Sequence, residues 1–198
     1  MWFLAALWLA LLITYLALRT SRARSGGFAA RITAWASAVL TVILVVMLRP
    51  HLLDSAIVTS ESMLPTLHVQ DRIFVNKISY KFREPRYGDI VIFDASYTAD
   101  NRGGNIYIKR IIGLPGDVIE ARNGAVYRNG GRLNEPYISE WVDYTIDQVK
   151  VPRDMLFVLG DNRNESMDSH VWGPLNRKRV LGKAMVRFWP PNRIGLAR

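Results

Sequence analysis

Residues 107–117 are Tyr107-Ile108-Lys109-Arg110-Ile111-Ile112-Gly113-Leu114-Pro115-Gly116-Asp117. The first six residues include β-branched and aromatic side chains, which favour strands. The Gly-Leu-Pro-Gly that follows favours a turn, because glycine and proline adopt the backbone angles that turns need. The pattern predicts a strand over residues 107–112. Tyr107, Lys109 and Ile111 would share one face of it, since successive side chains of a strand alternate.

Short apolar runs of the same kind occur on both sides of this stretch. Residues 118–119 and 125–127 flank Asn123-Gly124, a dipeptide typical of the tight turns that join antiparallel strands. Many short strands with glycine turns and no strong helical pattern predict a mostly β, antiparallel domain over residues 50–198. The other predicted strands are residues 73–75, 90–93, 155–159 and 180–189.

Two apolar runs precede this domain. Residues 1–18 carry no charge and suit a membrane span at the short end of the ~17–25 residue range. A cleaved signal peptide is the alternative, but such a peptide normally begins with a positively charged segment. Residues 32–49 form the second run, and residues 19–31 between the runs contain four arginines. The positive-inside rule therefore predicts transmembrane helices over 1–18 and 32–49, a basic cytoplasmic loop over 19–31, and an extracytoplasmic domain over 50–198.

The composition limits the possible chemistry. The 198 residues include no cysteine, which excludes disulfides, thiol catalysis and cysteine-ligated metals. No metal-ligand cluster is apparent, and Gly113-Leu114-Pro115-Gly116 lacks the Lys-Ser/Thr that completes a phosphate-binding loop, so no cofactor is expected.

The formal net charge of +9 favours an anionic partner. A lipid bilayer is preferred to nucleic acid, because the arginines of the outer domain are scattered rather than clustered with aromatic residues. A non-catalytic, basic β-domain tethered to the membrane is the alternative that this charge leaves open.

A candidate nucleophile lies in Thr59-Ser60-Glu61-Ser62-Met63-Leu64-Pro65-Thr66-Leu67, shortly after the second apolar run. The proline blocks helix continuation, so the two serines are expected on a turn that can present a hydroxyl outward. A serine hydroxyl is a weak nucleophile unless a nearby base takes its proton.

Lys109 is the candidate base, because it lies between two large apolar neighbours on one face of the predicted strand. A lysine ordinarily titrates near 10.4, but burial can lower its pKa by ~3–5 units and so leave the amine able to accept a proton. Two alternatives stay open. Lys109 could instead be an edge-strand lysine that blocks aggregation. Of the three histidines, His51, His68 and His170, the last lies near two aspartates and could form a Ser-His-Asp site.

A third stretch, Gly160-Asp161-Asn162-Arg163-Asn164-Glu165-Ser166-Met167-Asp168-Ser169-His170, is too polar for a core. Together with the serine turn, Gly88-Asp89-Ile90-Val91-Ile92-Phe93 and residues 107–117, in this order, it closely resembles the sequence boxes of bacterial type I signal peptidases. The resemblance covers about residues 58–189. It implies the β-fold of that family, two N-terminal membrane anchors, and a Ser-Lys dyad that cleaves signal peptides from exported precursor proteins at the bacterial cytoplasmic (inner) membrane. The oligomeric state stays open.

The resemblance also implies roles for individual residues. Ser62 would be the acylating nucleophile, and Lys109 the general base and later the acid for the leaving amine. Ser60 would donate to the oxyanion, and Ser166 would hydrogen-bond and orient the Lys109 amine. Three residues would give structural support: Arg110 and Asp161, paired with each other, and Asp168.

The substrates implied by the resemblance have small residues at the first and third positions before the cut. Shallow apolar pockets would select them, because larger side chains would clash. Ordinary core packing is the alternative for the residues assigned to these pockets, which are Val58, Met63, Leu67, Tyr107 and Ile108.

The sequence departs from the family pattern at several positions. Thr59 replaces a usual proline, Glu61 a common glycine, Asn164-Glu165 the usual Asp-Asn, and His170 an arginine expected to pair with Asp168. The changes near the nucleophile motivate one further hypothesis, a specialised relative that processes a narrow client such as a pilin or a conjugation protein.

Overall fold

The computed structural model describes residues 15, 32, 35–41, 43, 53–96 and 106–197, and the chain divides into two units, residues 1–52 and 53–198. In the first unit, residues 35–41 are helical. The predicted spans 1–18 and 32–49 lie largely outside the described residues, and the predicted loop 19–31 lies wholly outside them. Among the residues that are described, no helix is long and apolar enough to cross a membrane.

The second unit is built from antiparallel strands, which confirms the predicted mostly β architecture. Two four-residue helices, α1 (Ser79–Phe82) and α2 (Ser169–Trp172), accompany the strands. The strands are β1 (Leu53–Ile57), β2 (Arg72–Asn76), β3 (Ile90–Asp94), β4 (Ile106–Gly113), β5 (Val118–Arg122), β6 (Ala125–Arg128), β7 (Gly131–Arg132), β8 (Ile146–Lys150), β9 (Met155–Leu159), β10 (Leu175–Asn176), β11 (Val180–Trp189) and β12 (Gly195–Leu196).

The strands form two sheets. The larger has the order β1-β2-β11-β3-β4-β9-β10, with β12 pairing to β11, and the smaller has the order β7-β6-β5-β8. The hairpin of β5 and β6 has the predicted turn: Asn123 and Gly124 have φ values of 50° and 75°, and tight hairpin turns of this kind need positive φ at both positions. Five of the described strands were not predicted. The sequences of β1 and β8, LDSAI and IDQVK, contain no continuous apolar run, and β7, β10 and β12 have only two residues each.

The large sheet is covered on both faces, which explains why its central strands are apolar without alternation. In β3, Ile90 and Ile92 pack in one buried cluster with Met63 and Leu67. The intervening Val91 and Phe93 pack in a second cluster with residues of β4, β9 and β10. A third cluster fills the space between the small sheet and the β4–β9 pair. The site-bearing strand β4 therefore lies in the most buried part of the unit.

The turn after β1 is tied to the last part of the chain. The Asp71 side chain is fully buried and accepts a hydrogen bond from Arg193 at 3.1 Å, and Arg187 lies 3.7 Å from its other oxygen. Arg187 also donates to the carbonyl oxygen of Thr66 at 2.7 Å. A charged group buried this deeply is retained only with such partners, so these contacts fix the turn that contains Ser62.

Candidate active site

Ser62 lies on a compact turn that two apolar side chains anchor. Met63 and Leu67 are 0% exposed and pack into the core, and the Leu67 amide donates to the Met63 carbonyl at 2.8 Å. The assignment of Met63 and Leu67 to the substrate pockets is therefore wrong: sequence alone does not tell an apolar anchor beneath a turn from an apolar side chain that lines a cleft. Ser62 itself is buried and is one of the residues that line a cleft.

Lys109 reaches Ser62 from the centre of the large sheet. Its strand, β4, pairs with β3 on one side and β9 on the other, so it is not an edge strand. Lys109 is 3% exposed, and its Nζ lies 2.7 Å from Ser62 Oγ. The structure thus brings the two residues of the predicted dyad within hydrogen-bond distance.

Burial lowers the pKa of Lys109 to about 8, although the carboxylates of Asp168 and Asp161 act in the opposite direction. Removing an ammonium group from water penalises its charged form, and this desolvation outweighs the two attractions. About a tenth of the amine is then neutral at pH 7, compared with well under a thousandth for a solvated lysine. The amine can therefore accept the Ser62 proton at physiological pH.

Ser60 lies beside Ser62 and lines the same cleft. Its Oγ is 3.2 Å from Ser62 Oγ, and the residue is exposed. A hydroxyl so placed can reach an oxygen that develops negative charge when Ser62 attacks a carbonyl group.

The loop after β9 contacts the serine turn directly. The Asn162 amide donates to the Ser62 carbonyl at 3.1 Å, and Gly160 leaves no space for a side chain. A Cβ on Gly160 would lie 2.4 Å from the Ser62 carbonyl oxygen and 2.2 Å from Ser166 Oγ. Gly160 is thus required by close approach of backbone to backbone.

Ser166 is buried, but its Oγ has no hydrogen-bond partner among the described residues. The hydrogen bond to Lys109 that the resemblance implied is therefore absent from this arrangement. The Ser166 hydroxyl instead fills the space next to Gly160, and the contact made by the Lys109 amine is with Ser62.

Arg110 and Asp161 form a buried ion pair on the other face of β4. The guanidinium donates twice to the carboxylate, at 2.7 and 2.6 Å, and the two side chains are 3% and 0% exposed. Thr66 donates to the same carboxylate at 2.5 Å, and the Tyr137 ring lies 4.0 Å from the guanidinium carbon. The pair joins the strand of Lys109, the loop after β9 and the serine turn.

Asp168 has a partner despite the absence of the expected arginine. Its carboxylate accepts from His170 Nδ1 at 2.8 Å, and from the amides of His170 at 3.1 Å and Gly160 at 2.8 Å. His170 also stacks on Tyr144, with ring centroids 4.1 Å apart. His170 therefore supports Asp168, whereas the contacts of Ser62 Oγ in the structure are with Lys109 and Ser60.

A cleft of about 380 Å³ extends from the dyad and is mostly apolar. Three of the five predicted pocket residues line it: Val58, Tyr107 and Ile108. Sequence reasoning missed several others, because β1 was not predicted and because no local pattern marks a cleft wall. These are Ala56, Ile57, Ile73, Ile92, Ile106, Glu165 and Met167. A serine activated by a neutral amine beside an apolar cleft suits acyl transfer from an extended peptide.

Residues 31–189 match the family model described as Signal peptidase, peptidase S26. A signal peptidase I from Leptolyngbya laminosa is 46% identical over 159 residues, which cover 79% of this chain and 78% of that protein. A probable thylakoidal processing peptidase 2 of Arabidopsis thaliana chloroplasts is 41% identical over 163 residues, which cover 80% of this chain and 44% of that protein.

Among solved structures, a signal peptidase I from Enterococcus faecalis V583 is 32% identical and superposes with a TM-score of 0.43. That alignment covers 51% of this chain and 97% of that one. Both the serine turn and the strand of Lys109 lie within the residues that the family model matches.

Proposed function

The chain belongs to the signal peptidase family, peptidase S26, and on that premise we propose that it removes N-terminal signal peptides from exported precursor proteins. It acts as a serine endopeptidase in which Ser62 is the nucleophile and Lys109 the general base. The observation that carries this proposal is the 2.7 Å contact between Lys109 Nζ and Ser62 Oγ, made in an apolar surrounding that lowers the pKa of the amine.

The reaction proceeds in two halves. Ser62 Oγ bonds to the scissile carbonyl carbon while its proton passes to Lys109 Nζ, and the resulting oxyanion lies near Ser60. The C–N bond then breaks, Lys109 returns the proton to the leaving amine, and the mature protein departs. Water attacks the remaining ester with Lys109 again as base, which releases the signal peptide and restores the Ser62 hydroxyl.

The test is cleavage of a model precursor by the full chain in detergent. Ser62→Ala and Lys109→Ala are each expected to lower kcat by at least about 10³-fold. Lys81→Ala is the matched control, since Lys81 is exposed and lies on α1. Cleavage by the Ser62→Ala chain at the wild-type rate would refute the dyad and would favour a non-catalytic β-domain instead.

We infer a general client range rather than one narrow client. The relative from Leptolyngbya is named simply a signal peptidase I, which supports this inference. Complementation of a conditional signal-peptidase mutant tests it: growth supports general processing. Failure to restore growth, with cleavage of a single client retained, would support the specialised alternative.

We also propose membrane anchoring by residues 1–18 and 32–49, with the loop 19–31 in the cytoplasm and residues 50–198 on the opposite side. The absence of cysteine makes the topology easy to test. Ser25→Cys, in the loop, should resist a membrane-impermeant maleimide in intact cells. Ser139→Cys, exposed in the second unit, should be labelled. The reverse labelling pattern would contradict this orientation.

A further inference from the structure

A second buried ion pair contacts the loop after β9. Arg163 and Glu135 meet through two contacts of 2.7 and 2.6 Å, and their side chains are 0% and 5% exposed. Tyr137 donates to the same carboxylate at 2.7 Å. Charged side chains this deeply buried are costly unless fully paired, so the geometry of this group is tightly constrained.

The pair extends to the backbone that touches the nucleophile. Arg163 Nε donates to the Gly160 carbonyl at 3.0 Å, and the Gly160 amide donates to Asp168 at 2.8 Å. Gly160 is packed so closely against the Ser62 carbonyl that no Cβ fits between them. A displacement of Gly160 therefore changes the position of Ser62.

The segment that supplies Glu135 lies between β7 and β8 and bears none of the dyad. It is fastened to the loop at further points, since the Asp143 amide donates to Asn164 Oδ1 at 3.0 Å and Asn164 Nδ2 donates to the Trp141 carbonyl at 3.0 Å. The segment thus braces the loop through contacts that do not involve the serine turn.

We propose that Glu135 and Arg163 are positioning residues, which hold Gly160 against the Ser62 carbonyl and so keep Ser62 Oγ within reach of Lys109. The proposal rests on the proposed peptidase function. It assigns the pair a part in the chemical step rather than in substrate binding, because neither Glu135 nor Arg163 lines the cleft.

The test compares Glu135→Ala with wild type in precursor cleavage by the full chain, well below the midpoint of thermal unfolding. A small misplacement of reacting groups can cost up to about 100-fold in rate, so we expect kcat to fall at least about tenfold. KM should stay within about twofold. Glu135→Asp, which keeps the carboxylate, should recover most of the lost kcat.

Glu120→Ala is the matched control, because Glu120 pairs with the half-exposed Arg122 on the small sheet, and its kcat should equal that of wild type. If Glu135→Ala does not fold, Arg163→Lys decides, since it keeps the positive charge but loses the Nε donor to Gly160. The proposal would be overturned if the folded variant, Glu135→Ala or else Arg163→Lys, had the kcat of wild type. It would also be overturned if only KM changed. Inactivity of the wild-type chain would refute the proposed function itself.

Discussion

Lys109 and Arg110 are neighbours on β4, yet their side chains leave opposite faces of the strand and enter opposite environments. Lys109 Nζ meets a serine hydroxyl 2.7 Å away, and within the described part of the chain no carboxylate forms a hydrogen bond with it. Arg110 meets the Asp161 carboxylate through two hydrogen bonds. One strand thus keeps an amine that can lose its charge next to a guanidinium that cannot.

The rate of cleavage should follow the protonation of Lys109. With a pKa of about 8 for its ammonium group, kcat should rise about tenfold per pH unit below pH 8 and level off above it, because only the neutral amine accepts the Ser62 proton. A pH–rate profile with a saturating model precursor measures this. Lys109→Arg should be inactive throughout, since a guanidinium stays charged. A rate that falls between pH 6 and 8 would contradict Lys109 as the base.

Replacing Lys109 by methionine should stabilise the protein. The folded-state pKa of about 8 lies below the unfolded value, so the unfolded chain binds more protons between the two, and wild-type stability rises with pH over that window. Burial of the amine therefore lowers the free energy of unfolding by about 3 kcal/mol at pH 7. Loss of the hydrogen bond to Ser62 subtracts about 1 kcal/mol, so the expected net gain is about 2 kcal/mol.

Urea unfolding of Lys109→Met and wild type in detergent measures this difference. The difference should shrink by pH 10, where the amine is almost fully neutral in the folded state and begins to lose its proton in the unfolded state as well. Lys81→Met, at an exposed position, should leave the free energy of unfolding unchanged at both pH 7 and pH 10. Equal or lower stability of Lys109→Met at pH 7 would show that burial of the amine is not costly.

Gly160→Ala should slow cleavage strongly without removing any functional group. Its Cβ would lie 2.4 Å from the Ser62 carbonyl oxygen, so the loop and the serine turn must separate. We expect kcat to fall by about 100-fold, as for other small misplacements of reacting groups. Gly195→Ala, where nothing lies within 4 Å of the new methyl group, should cleave like wild type. Equal activity of the two variants would refute the close packing.

Asp161→Asn should destabilise the fold strongly, because it leaves the Arg110 guanidinium buried without a charged partner. The expected loss is about 3–5 kcal/mol, measured as a lower urea midpoint. Asp54→Asn is the control, since the Asp54–Lys77 pair is well exposed and worth at most about 1 kcal/mol. Similar midpoints for both variants would indicate that the buried pair contributes no more than a surface pair.

Sequence patterns indicated the architecture where one local feature dominated. The continuous apolar run of β3 and the Asn123-Gly124 turn are such features, since each is fixed by neighbours in sequence. The strand β1 was not predicted, because a strand that is exposed along most of its length needs no apolar run, and β1 is held by its pairing with β2 along one edge.

The candidate site was harder to foresee beyond its reactive residues. Motif order indicated Ser62 and Lys109. The burial of Met63 in the core and the surroundings of the Ser166 hydroxyl depend instead on packing between segments far apart in the chain. The pair of Glu135 and Arg163 spans 28 positions, and no periodic pattern connects residues at that distance. The role of His170 beside Asp168 likewise became visible only in three dimensions.

The salt link from Arg193 to Asp71 has a consequence for biosynthesis. Arg193 leaves the ribosome 122 residues after Asp71, so the turn emerges long before the residue that steadies it. A nascent polypeptide that has not yet reached Arg193 lacks that contact, so the turn that contains Ser62 is fully held only after a distant, later segment has been synthesised.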